Sequence, residues 1–403
     1  MAYGKDYLMQ RLAMKKARVN LRYSHYEMKQ RIPDFGISTP PDLRLWMGTL
    51  GWCGKAVDTL ADRLQFYQFD DDAFDLNTIY RMNNPDVIFD SAILSALIAS
   101  CSFIYISTDE DGYPRLQVLD GSRATGIIEP MSGLLTEGYA ILEEDQSHVV
   151  KRDAYLVPGR TDIYEGGKLA ESIAYDCDYP LLVPVIYRPD ARRPFGHSRI
   201  SRACMSIVGS AIRTVKRSEI AAEFYSYPQK YITGLSDDAE RMDKWKATMS
   251  SMMTFTKDQD GQSPTLGQFS QQSMEPHTAQ LKMFAALFAG ETGLTLDDLG
   301  FVTDNPSSAE AIKASHENLR LMARKAQRTF GSGFLNAGFL AACVRDNYAY
   351  RRSQLYLTKP EWQPIFEPDA AMLSLIGDGV IKLNQAIPGY IDEDKMRGLT
   401  GIE

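Results

Sequence analysis

The chain has 403 residues, a formal net charge of −8 and 44% hydrophobic residues. That length suits two to four domains, and 24% charged with 10% aromatic residues excludes a globally disordered chain. The acidic balance disfavours a protein that coats nucleic acid through bulk charge. Five widely spaced cysteines without a CxxC pair support neither a disulfide framework nor a zinc site, so we predict a reducing compartment.

The N-terminal segment is strongly basic. Residues 5–31 carry eight Lys or Arg against Asp6 and Glu27. This composition predicts an exposed helix or arm, whose cations are either solvated or in contact with an acidic neighbour.

Residues 91–108 contain no charge across 18 positions, which is the lower limit for a membrane span. Their second half changes to alternating β-branched and aromatic residues and ends at the turn 109–112. We therefore predict a helix that runs into a buried strand, with its start at Asn84-Pro85, and no membrane association.

The next part of the chain is rich in β-type runs separated by Gly- and Asp-containing turns. It predicts a mostly antiparallel β subdomain. The predicted strands are 103–106, 115–119, 134–142, 149–156 and 181–187.

The remainder is mainly helical. Apolar stripes predict helices over 198–224 and 274–290, separated by a short mixed segment with strands at QKYITGL and MMTFT and a helix around Trp245. Gly290 is predicted to end the second helix. Asn305-Pro306 and the capping-box pair Ser307 and Glu310 predict the start of a long helix, which crosses Gly331 and Gly333 to about residue 349.

No pattern of catalytic residues is present in the sequence. It contains no GxxxxGK[ST] loop, no GxGxxG after a strand and no HExxH. The segment 196–200 is similar to a nucleophile elbow but lacks its closing glycine. We predict a protein that is not an enzyme and uses no cofactor and no metal.

Several short sequence motifs, in their order and spacing across residues 35–350, resemble those of tailed-bacteriophage portal proteins. The first motif is Arg188-Pro189 with Phe195-Gly196-His197-Ser198-Arg199-Ile200, and the second is Ala222-Glu223-Phe224-Tyr225 with Pro228-Gln229-Lys230-Tyr231. The third comprises Gly293-Leu294, Leu299-Gly300, Asn305-Pro306-Ser307-Ser308-Ala309-Glu310-Ala311-Ile312 and Gln327-Arg328-Thr329-Phe330-Gly331.

The resemblance implies an α+β fold with a β-rich wing, a helical stem with a small α/β clip insertion, a long kinked helix and a short helical crown. Carried onto this chain, the parts are the wing 1–197, the stem helix 198–224, the clip 225–270, the second stem helix 271–290, the tunnel loop 291–305, the long helix 306–359 and the crown 360–403.

In that family, subunits form a dodecameric ring at one capsid vertex around a channel for double-stranded DNA. The resemblance therefore implies a virion protein assembled in the host cytoplasm. Its expected partners are further copies of itself, DNA without sequence preference, the terminase, a tail adaptor, and the major capsid and scaffold proteins.

Three residue sets follow from this assignment. The tunnel loop, which contains acids and no base, is expected to face DNA through Thr292, Thr295, Asp297, Asp298 and Thr303. The clip is expected to contact the motor and adaptor through Tyr231, Trp245, Met253 and Phe255. On the long helix, the face with Arg320, Arg324 and Arg328 either pairs with acids of a neighbouring subunit or is solvated.

Two alternatives remain at this point. One is a head-completion or scaffold component that forms no DNA conduit, and the other is a phage DNA-processing hydrolase. A ring with a through-channel would separate a portal from both.

Overall fold

A computed structural model describes residues 3–33, 48–226, 230–233, 265–268, 273–301, 314–366 and 370–400. The chain divides into two compact units. The first comprises Met1–Gln30, Gly51–Met205 and Ala289–Glu403, and the second comprises Arg31–Leu50 and Ser206–Phe288.

The elements before residue 190 all belong to the first unit. In chain order they are α1 (Lys5–Tyr26), α2 (Trp52–Ala61), β1 (Phe66–Asp70), α3 (Leu76–Arg81), α4 (Pro85–Ala99), β2 (Cys101–Thr108), β3 (Pro114–Asp120), β4 (Ala124–Ile128), β5 (Leu135–Glu144), β6 (Val150–Val157), β7 (Arg160–Glu165), β8 (Lys168–Ala174) and β9 (Leu182–Ile186).

The later elements include the long helices. They are α5 (Arg202–Ser226), β10 (Lys230–Thr233), β11 (Thr265–Gln268), α6 (Glu275–Thr292), α7 (Glu317–Asp346), β12 (Lys359–Trp362), α8 (Ala370–Ala386) and α9 (Glu393–Thr400).

The sheets of the first unit are antiparallel, as predicted. One has the order β4-β5-β6-β7-β8, a second has the order β3-β2-β9, and β1 pairs with β12. All five predicted strands are confirmed within about two residues. The prediction missed β1, β4, β7, β8 and β12. Strand β8 is an edge strand that is exposed along nearly its whole length, so its sequence carries no alternation between buried and exposed positions.

Helix α1 covers one face of the five-stranded sheet. Its Leu8 and Leu12 pack against Tyr139, Ile141 and Tyr155 of β5 and β6. Lys5 Nζ lies 2.7 Å from a carboxylate oxygen of Asp153, and Lys16 Nζ lies 3.0 Å from one of Glu144. For Lys5 and Lys16, the acidic neighbours are therefore carboxylates of the chain's own five-stranded sheet.

The uncharged segment 91–108 is a helix followed by a buried strand, as predicted. Helix α4 begins with Pro85 at its first position and ends at Ala99, and β2 starts two residues later. Strand β2 lies between β3 and β9 and is buried over Cys101–Ile106. Across the described ranges, no helix combines the length and apolarity needed to cross a membrane.

Helix α7 runs through Gly331 and Gly333 without a break, so these glycines do not interrupt it. They permit close packing instead. A Cβ on Gly331 would lie 2.6 Å from Pro360 Cγ, and one on Gly333 would lie 3.4 Å from the Pro184 carbonyl oxygen. The predicted start of the long helix, with its capping box at 307–310, lies outside the described residues.

The second unit holds most of α5 and α6. The Thr214 hydroxyl of α5 donates a hydrogen bond of 3.0 Å to the Gln280 side chain of α6. The prediction that Gly290 ends the second helix is wrong. The helix continues to Thr292, and Gly293, with φ 71°, is the residue at which the chain turns away.

Candidate functional site

The segment 193–200 turns sharply against β9 in the first unit. Gly196 adopts φ 73°, and a Cβ at this position would lie 2.1 Å from the Tyr187 carbonyl oxygen. The next residue, His197, donates its N–H to that same oxygen at 2.9 Å. The close approach of the two backbones therefore requires glycine here.

Ser198 is a structural residue in this turn. Its hydroxyl donates a hydrogen bond of 2.6 Å to the Ile98 carbonyl and accepts one of 2.9 Å from the Ile200 N–H. These bonds tie the start of α5 to the end of α4. The hydroxyl of the elbow-like segment is therefore used within the fold.

Arg199 is a buried cation that joins three elements. Its Nε donates to the Ala56 carbonyl of α2 at 3.2 Å, and its Nη2 donates to the Thr292 carbonyl at 2.6 Å. Its Nη1 lies 3.1 Å from the Met322 sulfur of α7. Because Thr292 ends α6, the guanidinium donates to a carbonyl at the negative end of that helix dipole.

Gly196 and Arg199 belong to a motif that resembles portal proteins, but the sequence alone assigns no role to either residue. The role depends on the Tyr187, Ala56 and Thr292 carbonyls, which come from distant parts of the chain. No local pattern in the sequence shows these contacts.

The loop after α6 is folded against α7 over the residues described, up to Phe301. A Cβ on Gly293 would lie 2.3 Å from the Met322 methyl group, and Leu294 and Leu299 are buried. A short 3₁₀ turn, Asp297–Leu299, ends at Gly300, which has φ 86°. These contacts fix the first half of the predicted tunnel loop to the first unit.

Asp298 organises this loop through Thr295 and His316. One carboxylate oxygen accepts the Thr295 N–H at 2.8 Å and the Thr295 hydroxyl at 2.9 Å, and it lies 3.3 Å from His316 Nε2. Burial alone opposes ionisation, but the Thr295 hydrogen bonds and the nearby His316 ring outweigh it and lower the pKa of Asp298.

The five residues predicted to face DNA are therefore not equivalent. Thr292 is buried, Thr295 and Asp298 bond to one another, and Asp297 is exposed. Thr303 lies outside the described residues.

The three arginines of α7 also differ. Arg320 binds Glu317 of its own helix through two hydrogen bonds of 2.6 and 2.7 Å. Arg324 is exposed. Arg328, with Lys325, lines a cleft of about 600 Å³ whose other walls include Pro130, Pro189 and Asn336.

For the clip, the structure describes two short strands. The predicted strand at QKYITGL is present as β10, which pairs antiparallel with β11 in the register Tyr231 with Gly267. Tyr231 is exposed. Trp245, Met253 and Phe255, and the predicted strand and helix around them, lie outside the described residues.

All five cysteines are buried and free. Within the described ranges, no group of three or more His, Cys, Asp or Glu side chains is arranged to hold a metal ion.

Comparison with known proteins confirms the resemblance to portal proteins. The portal protein of Mycobacterium phage D29 is 24% identical over 342 residues, covering 79% of this chain and 70% of that protein. The portal protein of Mycobacterium phage L5 is 23% identical over 339 residues, covering 78% and 68%. No protein-family model matches the chain.

The fold is also similar to that of a solved structure. A chain from the neck of an empty gene transfer agent particle superposes with a TM-score of 0.51 at 13% identity, over 96% of this chain and 99% of that chain. The mixed helical and sheet architecture is thus similar to that of this neck chain.

Proposed function

We propose that this chain is the portal subunit of a tailed phage or phage-like particle, and that its copies form a ring-shaped channel at one capsid vertex. One observation carries this proposal: sequence similarity to two portal proteins extends over most of this chain and about 70% of each relative. The fold supports it. The protein is accordingly a structural component of the virion, without catalytic activity.

Within this proposal, twelve copies surround double-stranded DNA that passes without sequence preference. The acidic composition favours a sliding contact, because a channel lined by many cations would hold the phosphate backbone. The described half of the tunnel loop contains three acids, Glu291, Asp297 and Asp298, and no base.

Asp297 is the described residue best suited to face DNA. Its side chain is exposed on a turn that Gly293, Asp298 and Gly300 hold in place. At close range its charge repels phosphate and lowers friction. Thr292 is left out of the proposed DNA-facing set because its side chain is buried.

Reversal of one charge tests this assignment. Asp297→Lys is expected to leave assembly unchanged and to slow DNA packaging, most strongly at low salt where screening is weakest. Glu110→Lys, on the exposed β2–β3 turn, makes the same charge change elsewhere and is the control. An unchanged packaging rate for Asp297→Lys across a salt titration would remove this loop from the mechanism.

The clip is proposed to dock the terminase and the tail adaptor. Its two described strands, β10 and β11, are paired, and Thr233 lies opposite Thr265 where the two strands meet the undescribed segment 234–264. Replacement of residues 234–264 by an Asn-Gly turn would close the hairpin directly. Rings should persist while terminase capture in a pull-down is lost. Retained capture would place the docking surface elsewhere.

Two further assignments belong to this proposal. Arg324 and Arg328 are exposed cations that can pair with acids of a neighbouring subunit, whereas Arg320 is already paired with Glu317. The major capsid and scaffold proteins are the remaining expected partners.

A further inference from the structure

Helix α8 exposes several large apolar side chains. Leu375 is 72% exposed, Ile381 57% and Leu383 48%, and Ile387 just beyond the helix is 57% exposed. Large exposed apolar patches of this kind mark interaction sites. Within the described part of the chain, α9 is the main element that α8 packs against.

The apolar residues of α8 cover more of its circumference than one partner helix needs. Leu373, Ile376, Val380 and Leu383 follow spacings of three, four and three, which is the seam of a coiled coil. Leu375 and Ile381 lie on the two outer edges of this seam. At 100° per residue the arc between them through the seam spans about 240°, against about 100° for a helix with one buried face.

The polar side of the helix is narrow and electrically neutral. It holds Ser374, Asp378, Lys382 and Gln385, and Asp378 and Lys382 are the two charged residues in the α8 sequence. Copies of α8 can therefore approach one another without net repulsion, although the whole chain carries −8. The Asn384 side chain is bonded to the backbone of Ile391, so the helix end is closed locally.

From these observations we infer that α8 is covered by α8 of neighbouring copies of this chain, one on each edge of its apolar arc. In a closed ring every subunit meets two neighbours through two different surfaces. The Leu375 edge and the Ile381 edge of α8 are two different apolar surfaces, one for each neighbouring copy. This inference rests on the proposed ring.

A paired-substitution experiment tests the interface in the full-length purified chain. Leu375→Glu with Ile381→Glu places a charge on each apolar edge, and Ser374→Glu with Gln385→Glu places the same charges on the polar side. We expect the first pair to raise the subunit concentration at which rings dissociate at least tenfold, as followed by native mass spectrometry. The control pair should stay within about twofold of the unmodified chain.

A second experiment reports contact directly. Copies with Leu375→Cys and copies with Ile381→Cys are co-assembled and treated with a bifunctional thiol reagent that has a flexible spacer. The unmodified cysteines are buried, so the background is low. We expect covalent heterodimers from the mixture and at least tenfold fewer dimers from either variant alone.

The outcomes separate this inference from the portal proposal. Intact rings that tolerate the Leu375 and Ile381 charges and give no heterodimers would overturn the α8 contact and leave the portal proposal standing. Absence of any ring for the unmodified chain would overturn both. Heterodimers with weakened rings would confirm that α8 contacts α8 of the next copy.

Discussion

At the residue scale, the structure depends on a few positions where backbone segments meet closely. Gly196 is the clearest, because its φ of 73° and the nearby Tyr187 carbonyl oxygen both oppose a side chain. The turn at Gly112 has a similar φ of 79° with open space around it. A substitution at Gly112 therefore introduces backbone strain alone, whereas a substitution at Gly196 introduces backbone strain and steric overlap.

Gly196→Ala is expected to destabilise the protein more than Gly112→Ala. The left-handed conformation alone costs alanine roughly 1–2 kcal/mol, and this applies to both variants. Only Gly196→Ala adds an overlap with backbone, which has to move. Urea unfolding of the two variants measures the difference, and equal losses would show that the Gly196 turn relaxes freely.

Arg199 is the second critical position. Arg199→Met keeps much of the volume but leaves the Ala56 and Thr292 carbonyls without their donor. Loss of a buried hydrogen-bonding partner costs about 1–3 kcal/mol per group, so we expect a total loss of about 2–6 kcal/mol. Arg202→Met, at an exposed position on α5, is the control. Faster amide exchange over 293–301 in Arg199→Met alone would confirm that Arg199 holds the loop. Unchanged exchange would contradict it.

At the element scale, the loop after α6 is a hydrogen-bonded turn held by Asp298. Its stabilisation requires the carboxylate, whose pKa is lowered in the folded state. The contribution is therefore present above the ordinary carboxyl value near 3.8 and is lost as the pH falls below it through the folded-state pKa.

Asp298→Asn is expected to weaken the loop at pH 7 by roughly 1 kcal/mol, because a carboxylate accepts hydrogen bonds more strongly than an amide does. The difference in unfolding free energy between the unmodified chain and Asp298→Asn should shrink below pH 3.8. Asp297→Asn, which changes an exposed neighbour, should show no such difference. A difference that stays constant with pH would assign the stabilisation to packing.

The elements that were predictable from sequence are those defined by local signals. Asn84-Pro85 marks the start of α4, and the change of periodicity near residue 100 marks β2. Strand β8 was not predictable, since an exposed edge strand has no buried face to produce alternation. The role of Gly331 and Gly333 was not predictable, because their packing against Pro360 and Pro184 cannot be seen in the helix sequence.

The candidate site was less predictable than the fold. The loop between α6 and α7 was located from its flanking helices, but the burial of Thr292 and the Thr295–Asp298 bonding depend on tertiary contacts. The same holds for Arg199, whose acceptors are 143 and 93 residues away in the sequence.

At the scale of the whole molecule, a portal function requires that copies of the chain close into a ring. Similarity to portal proteins over most of the chain, the neck-like fold and the exposed apolar arc of α8 agree with such an assembly. Disulfides are not expected to contribute, because all five cysteines are buried and free.

Electron microscopy of the purified chain under reducing conditions shows whether its copies close into such a ring. We expect closed rings with rotational symmetry and an axial opening wide enough for double-stranded DNA. The number of subunits is then read from the class averages. A monomer that persists at micromolar concentrations, or a closed assembly without an axial opening, would contradict the assignment as a portal.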